Sequence, residues 1–392
     1  MRKKDIPFIK SRGVIGEMQK AIVKTFDDFD TPVKMVEAKE GHRLFYFHLE
    51  TLKPVRMRAI KSFEDDLKYA LGSKDVFIEA PVPGKKLIGI TVPKVGAPPA
   101  LHWSDAIKDK KFLESDDLTV PLGQDEFGEH CYFNIAKAPH ALIGGTTGSG
   151  KSVLLHSFLN SLVYKHTPER LRLILIDPKR VELTLYQGLP HLLTPVITDA
   201  KKGILSLKWA IKEMERRYDI LQSEKVVNIA NYHKTIYDPS QKTDDGPEPM
   251  PYIVIVFDEI ADCMMAYPKE YEEAIVRLAQ MSRAVGIHLI LGTQRPSVNI
   301  VTGSVKANIP SRFALQVASQ IDSRTIIDQT GAEKLCGQGD MLVLSAEEWK
   351  PVRMQSYHIS DNEVVENNKN RIHELERLNQ SLSHRRLPYH FP

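Results

Sequence analysis

Cysteine is scarce in this chain. Cys131, Cys263 and Cys336 are the three present, and they lie far apart. Their number and spacing exclude a disulfide framework and a clustered metal site, and fit a reducing compartment. Long apolar runs are missing as well. No stretch approaches the roughly 18 residues of a membrane-crossing helix. The start, Met1-Arg2-Lys3-Lys4, is basic but leads into no apolar segment, so it is not read as a signal peptide, and a cytoplasmic location is expected. A charge bias is absent too: 53 Lys and Arg stand against 50 Asp and Glu, a net charge of +3. Nucleic-acid binding must therefore rest on local patches. The 14 histidines show no metal-ligand spacing, and there is no internal repeat. What remains is a chain with 42% hydrophobic and 26% charged residues, the balance of an ordinary globular protein. At 392 residues it exceeds one small core, and two or three domains are expected.

The texture of the chain changes along its length. Residues 1–30 read as a polar lead with one short helix from Val14 to Phe26. Residues 31–116 read as a small α+β domain. In it "VKMVEA" and "RLFYFHLE" alternate like strands, "FEDDLKYAL" suits a helix, and "VFIEAPVPGKKLIGITVP" suits a hairpin turning at Pro-Gly. Lys53, Arg56, Arg58 and Lys61 read as a solvated basic face or as a phosphate-facing patch. From residue 117 to 360 apolar runs alternate with helical stretches, the pattern of an α/β domain. The runs 141–143, 171–176, 253–257, 287–291 and 312–317 are mostly apolar throughout, as parallel strands covered on both faces require. Leu207, Ile211, Met214, Tyr218 and Leu221 keep helical spacing, residues 235–250 form a polar loop, and 361–392 hold a short helix and a tail.

One short stretch carries the strongest chemical signal. Gly145-Thr146-Thr147-Gly148-Ser149-Gly150-Lys151-Ser152 fits G-x-x-x-x-G-K-[ST] without a mismatch. It follows a strand-like run and opens a helix-like one that begins Lys151-Ser152-Val153, the context the motif demands. Glycines let backbone N–H groups close on an anion, and the helix N-terminus adds its dipole. Gly145 to Val153 are therefore expected to bind ATP. Lys151 would reach its β- and γ-phosphates, and the Ser152 hydroxyl would hold Mg²⁺.

Two further strand ends supply the complementary groups. "YIVIVFDEI" closes on Asp258 and Glu259. Asp258 would complete the Mg²⁺ shell, and Glu259 would act as base toward the attacking water. The adjacent acids favour a hydrolase over a kinase. "IHLILGTQRPS" places Thr293 and Gln294 at the next strand end, where Gln294 could sense the γ-phosphate if the two strands are neighbours. A lone subunit lacks positive charge for the transition state, which an arginine from a neighbour commonly supplies. Arg216, Arg217, Arg312 and Arg324 are the candidates, each also readable as a surface ion pair. His140 is expected to be structural.

Long strings of the sequence, beyond these motifs, resemble the FtsK/SpoIIIE family of DNA translocases. "APHALIGGTTGSGKSVLLHSFLNSLVYK" and "LILIDPKRVELTLYQGLPHLLTPVITDAKKGILSLKWAIKEMERRYDIL" are similar to its phosphate-loop segment and the stretch after it. "PYIVIVFDEIADCMM" and the run from "RLAQMSRAVGIHLILGTQRPS" to "LCGQGDML" continue the likeness. It covers residues 117–358, and more weakly 31–116, which resembles the family's α domain. The resemblance implies a RecA-like P-loop NTPase fold with a mainly parallel sheet, preceded by the small α+β domain. It implies a homo-hexameric ring around double-stranded DNA, with ATP hydrolysed at subunit junctions. It also implies pore loops after Gln294, with Arg283, Arg295 and Lys306 as phosphate contacts, and Arg216 as the best-matching trans arginine. No stretch resembles the family's membrane region or its winged-helix γ domain, so direction is expected to come from loading, from a loading or membrane-anchoring partner protein, or not at all. A conjugative coupling ATPase and a protein-moving ATPase of the type VII secretion kind remain alternative readings.

Overall fold

The computed structural model describes residues 13–381 apart from 83, 95, 97, 98, 117, 238–246 and 346–349. Residues 1–12, the tail 382–392, Pro83 of the expected hairpin turn and most of the polar loop at 235–250 lie outside the described residues. The chain divides into two compact units, residues 1–100 with 124–129, and residues 101–123 with 130–392.

The first unit is built on a four-stranded antiparallel sheet. Its strands are β1 (Val33–Glu40), β2 (Leu44–Thr51), β3 (Phe77–Glu79) and β4 (Ile88–Pro93), in the order β1-β2-β4-β3. Phe45, Phe47 and Leu49 alternate along β2 and are buried, as period-two patterning requires. The helix Glu64–Leu71 carries Glu64, Asp65 and Asp66 in its first turn and ends on Gly72 in the left-handed region, both favourable to a helix of this direction. The helix Val14–Asp28 is part of this unit rather than a separate lead: Ile22, Val23 and Phe26 are buried in one core with Phe47, Leu49 and Ile90. Apolar residues at helical spacing made that docking favourable.

The second unit holds a nine-stranded sheet. Its strands are β5 (Thr119–Asp125), β6 (His130–Asn134), β7 (His140–Gly144), β8 (Leu171–Ile176), β9 (Tyr252–Phe257), β10 (Ile287–Thr293), β11 (Ser311–Leu315), β12 (Asp340–Leu344) and β13 (Val352–Ser356). Their order is β6-β5-β13-β12-β11-β7-β10-β9-β8. Strands β11, β7, β10, β9 and β8 run parallel, while β11–β12 and β12–β13 are antiparallel. The sheet is thus mixed: the strands expected from sequence form one parallel side that ends at the β8 edge. Every residue of β7, β8, β9 and β10 is buried, which explains their continuous apolar runs. Residues 101–116, expected with the small domain, pack here: Trp103, Ala106, Ile107 and Phe112 join the core of this unit, and Trp103 Nε1 donates to Ser161 Oγ at 2.8 Å. The last helix, Asp361–Ser381, is longer than the short one expected, and it buries Val364 and Leu375. No helix among the described residues is long and apolar enough to cross a membrane.

Candidate nucleotide site

Parallel strands collect polar residues at their carboxyl ends, outside the sheet, where ligands of α/β folds sit. Here β7, β10 and β9 are consecutive neighbours, so the segments that follow them share one edge. After β7 comes the glycine loop, after β10 Thr293-Gln294, and after β9 Asp258-Glu259.

The loop is held open by backbone bonds. Gly145 N donates to Thr293 O at 3.1 Å, and Thr146 N to Gln316 O at 2.9 Å. Gly150 caps the helix Lys151–Lys165 with φ near 103°, and a Cβ there would lie 2.5 Å from Gly339 N. Conformation and space both demand glycine at that position. Among the described residues the buried Ser149 hydroxyl has no hydrogen-bond partner, an unmet polar group inside the loop. Lys151 is 3% exposed, and its Nζ lies 2.5 Å from Asp258 Oδ1 and 2.6 Å from Asp258 O. Burial raises the Asp258 carboxyl above the usual carboxylate range against the pull of Lys151, and Glu182 and Asp177 nearby add to the rise.

Glu259 is fully buried and surrounded by donors. Thr293 Oγ1 donates to its Oε1 at 2.8 Å, Gln294 N to its Oε2 at 3.0 Å, and Lys179 Nζ to Oε2 at 3.2 Å. Its Oε1 also caps the helix Ile260–Ala266 through Ala261 N at 3.3 Å. Gln294 reaches the other way too: its Oε1 accepts from Thr147 Oγ1 at 3.0 Å. One residue therefore touches both the glycine loop and the Glu259 carboxylate.

The sequence did not single out Lys179 or Glu182. Both follow β8, at the same edge. Asp177 shapes their turn by accepting from Arg180 N, Val181 N and Leu183 N at 2.9, 2.9 and 3.0 Å. The available signal was "DPKRVE" at the end of an apolar strand, a polar string where ligand groups collect.

The arginine candidates separate. Arg217 is fully buried on Glu213 and Val285 O, so it cannot reach another subunit and leaves the set. Arg216 is half exposed and pairs with both Glu213 and Glu248. Arg312 pairs with Asp328, while Arg324 is exposed on the helix Gln320–Ile327. The three cations expected at DNA do not converge within one chain. Arg283 precedes β10 and Arg295 follows it, so they sit at opposite ends of that strand. Lys306 lies in the helix Gly303–Asn308 ahead of β11, toward the same end as Arg283, with its Nζ 2.7 Å from Asp328 Oδ1. His140 is fully buried, consistent with a structural role.

The oxygen set of Ser152 and Asp258, with Glu182 and Asp177 near, fits a hard divalent cation such as Mg²⁺. The unmet Ser149 hydroxyl and the glycine cradle fit a phosphate chain.

Residues 104–298 match the model of the FtsK/SpoIIIE family, and residues 3–94 match that of the FtsK alpha domain. The chain is 46% identical over 359 residues to the DNA translocase FtsK of Caldanaerobacter subterraneus subsp. tengcongensis, covering 91% of this chain and 49% of that protein. It is 43% identical over 351 residues to the DNA translocase SftA of Bacillus subtilis, covering 89% and 36%. The chain thus spans half or less of the length of these curated relatives. A solved structure of the pCW3 conjugation coupling protein TcpA, a monomer form with ATPγS, superposes with a TM-score of 0.63 at 25% identity, over 92% of this chain and 99% of that one.

Proposed function

The chain belongs to the FtsK/SpoIIIE family, and from that premise we propose that it is the motor part of an ATP-driven, sequence-independent double-stranded DNA translocase. The observation that carries this reading is the bridge made by Gln294 between Thr147 of the glycine loop and the Glu259 carboxylate.

ATP enters the loop from Gly145 to Val153, its phosphates accepting from backbone N–H groups and the helix N-terminus. Lys151 exchanges Asp258 for phosphate oxygens. Ser152 and Asp258 would hold Mg²⁺, which would neutralise phosphate charge. Glu259 loosens from its present donors and takes the proton of the attacking water. Gln294 passes the loss of the γ-phosphate to the segment that follows it. The chain works as a homo-hexameric ring in the cytoplasm, and an arginine from the neighbouring subunit, Arg216 or Arg312 with Arg324 as the third candidate, stabilises the transition state. Arg283, Arg295 and Lys306 contact DNA phosphates, which carry affinity without sequence information. Because the three are spread over both ends of β10, the DNA path is assembled from several subunits. A partner protein loads or anchors the ring.

The test is steady-state ATPase with and without long linear duplex DNA, at low and moderate salt. Stimulation that grows with duplex length is expected. Turnover indifferent to DNA, in a protein that binds ATP, would overturn the reading in favour of a protein-moving ATPase. The likeness to TcpA favours a second reading, a coupling ATPase for conjugative transfer, which differs in needing a membrane partner for recruitment.

A further inference from the structure

Glu259 stands at the end of β9, between the ends of β10 and β8. The strand registers bring three segments level. Phe257 pairs with Leu291 on one side and with Ile176 on the other, so Thr293 and the turn after Ile176 flank Glu259. The carboxylate is held unevenly from the two sides. From the β10 side it accepts from Thr293 Oγ1 at 2.8 Å and from Gln294 N at 3.0 Å, and its own helix adds Ala261 N at 3.3 Å. From the β8 side the described residues supply one donor, Lys179 Nζ, at 3.2 Å from Oε2. Among the described residues Lys179 is also the one cation paired with this fully buried carboxylate. A buried charge without a counter-charge is strongly disfavoured.

The backbone that carries Lys179 is fixed. Asp177, fully buried, accepts from Arg180 N, Val181 N and Leu183 N, so the turn closes around Lys179. Asp177 N donates to Ile197 O at 2.8 Å, which ties the start of the turn to its neighbour. What stays free is the lysine stem: its side chain is 33% exposed, against 0% for Glu259. The other donors on Glu259 are two backbone N–H groups and the buried Thr293 hydroxyl. Lys179 is therefore the donor that can hold Oε2 and also give way to a water. We propose that Lys179 is a positioning residue for the general base: its ammonium supplies the counter-charge and holds Oε2 from the β8 side, fixing the face of the carboxylate that meets the attacking water. Without it the remaining donors lie on β10 and on the helix that Glu259 caps, and the carboxylate leans that way. A small misplacement of a reacting group slows the chemical step without changing ground-state binding. The inference rests on the nucleotide reading above and adds a residue to it.

The experiment pairs equilibrium binding of a fluorescent ATP analogue with single-turnover ATP hydrolysis, both on the full chain with long duplex DNA present. Lys179→Met, which removes the charge and keeps the length, is expected to slow hydrolysis about tenfold and leave binding unchanged. Lys179→Arg keeps the charge and is expected to recover most of the rate. In a Glu259→Gln background, Lys179→Met should slow hydrolysis no further, the mark of two groups acting as a unit. Thermal melting verifies that each variant is folded. Lys179→Gln, neutral but polar, repeats the test with the same expected loss if methionine at this place prevents folding. A normal rate in the neutral variants overturns the proposal. So does equal loss of binding and rate, an arginine variant as slow as the methionine one, or full additivity in the double variant. A parent chain that binds no nucleotide, or hydrolyses none, defeats the nucleotide reading itself, and that outcome is distinct from a normal rate in the neutral variants.

Discussion

Lys151 Nζ lies 2.5 Å from Asp258 Oδ1, both side chains at most 2% exposed. The lysine that the motif assigns to phosphates is folded back onto the acid assigned to the metal. Each neutralises the other where neither meets water. Removing one partner of a buried pair strands the other charge, at a cost of about 3–5 kcal/mol. Lys151→Ala is therefore expected to abolish nucleotide binding and also to lower stability. The pH dependence has a definite sign. Burial raises Asp258, and without Lys151 that rise grows. A carboxyl with its folded pKa above the unfolded value near 3.9 contributes stability below that value and loses it as pH rises through the folded one. The variant should thus lose more melting temperature, relative to the parent, at pH 8 than at pH 5. An equal loss at both would show that burial does not lift the Asp258 pKa into this window and that the carboxylate is charged at both.

Glu259→Gln should keep ATP binding and cut turnover about 10²–10⁴-fold, the usual share of a general base. Thr293→Val removes the 2.8 Å donor that orients that carboxylate and should lower turnover about tenfold with unchanged binding. A binding assay beside single-turnover hydrolysis separates the two effects. Loss of binding in Glu259→Gln would make the residue structural.

Two glycines of the loop should respond differently to alanine. At Gly150 the new Cβ meets Gly339 N at 2.5 Å and φ is near 103°, so either the loop or the Gly339 turn must shift. At Gly148, with φ near 81°, nothing lies within 4 Å, and only backbone strain of about 1 kcal/mol is expected. Gly150→Ala should melt clearly below Gly148→Ala and bind nucleotide more weakly. Equal melting points would contradict the close approach.

Lys306 and Arg312 share one carboxylate, Asp328. Lys306→Ala should weaken DNA binding equally for unrelated duplexes and reduce the salt slope by about one. An unchanged slope would take Lys306 out of the DNA path.

Three histidines should make the fold sensitive to mild acid. Burial pushes His140 and His191 down to about 3 and His288 down to about 4. Their unfolded value is near 6.5, so between pH 6.5 and 4 the unfolded chain binds more protons. Stability from these groups is complete above pH 6.5 and falls as pH drops, each contributing about 1.4 kcal/mol per pH unit. Melting curves from pH 7.5 to 5 should show the decline, and His288→Gln should lessen it. A slope unchanged in that variant would assign the decline elsewhere.

Much of the molecule could be read before it was folded. The five parallel strands announced themselves because burial on both faces favours apolar residues, so β7 to β10 are mostly apolar, with His140, Arg172, His288 and Thr293 as buried exceptions. The glycine loop was legible because its spacing is a backbone requirement, and Asp258-Glu259 because acids end an apolar run. The antiparallel wing of β12 and β13 was missed: its strands are half-buried and short, with weak patterning. The helix Val14–Asp28 reads as a lead in the sequence, which states an apolar face but not what covers it.

The amino-acid order by itself determined the element types and the three strand-end segments, since periodicity, glycine spacing and burial act locally. Only the tertiary structure decided that β10 lies between β7 and β9, and so that Gln294 spans Thr147 and Glu259. It alone brought Lys179 to Glu259 and hid Arg217. Strand order and the partner of a polar side chain are set by packing between segments distant in sequence, and no local pattern encodes them.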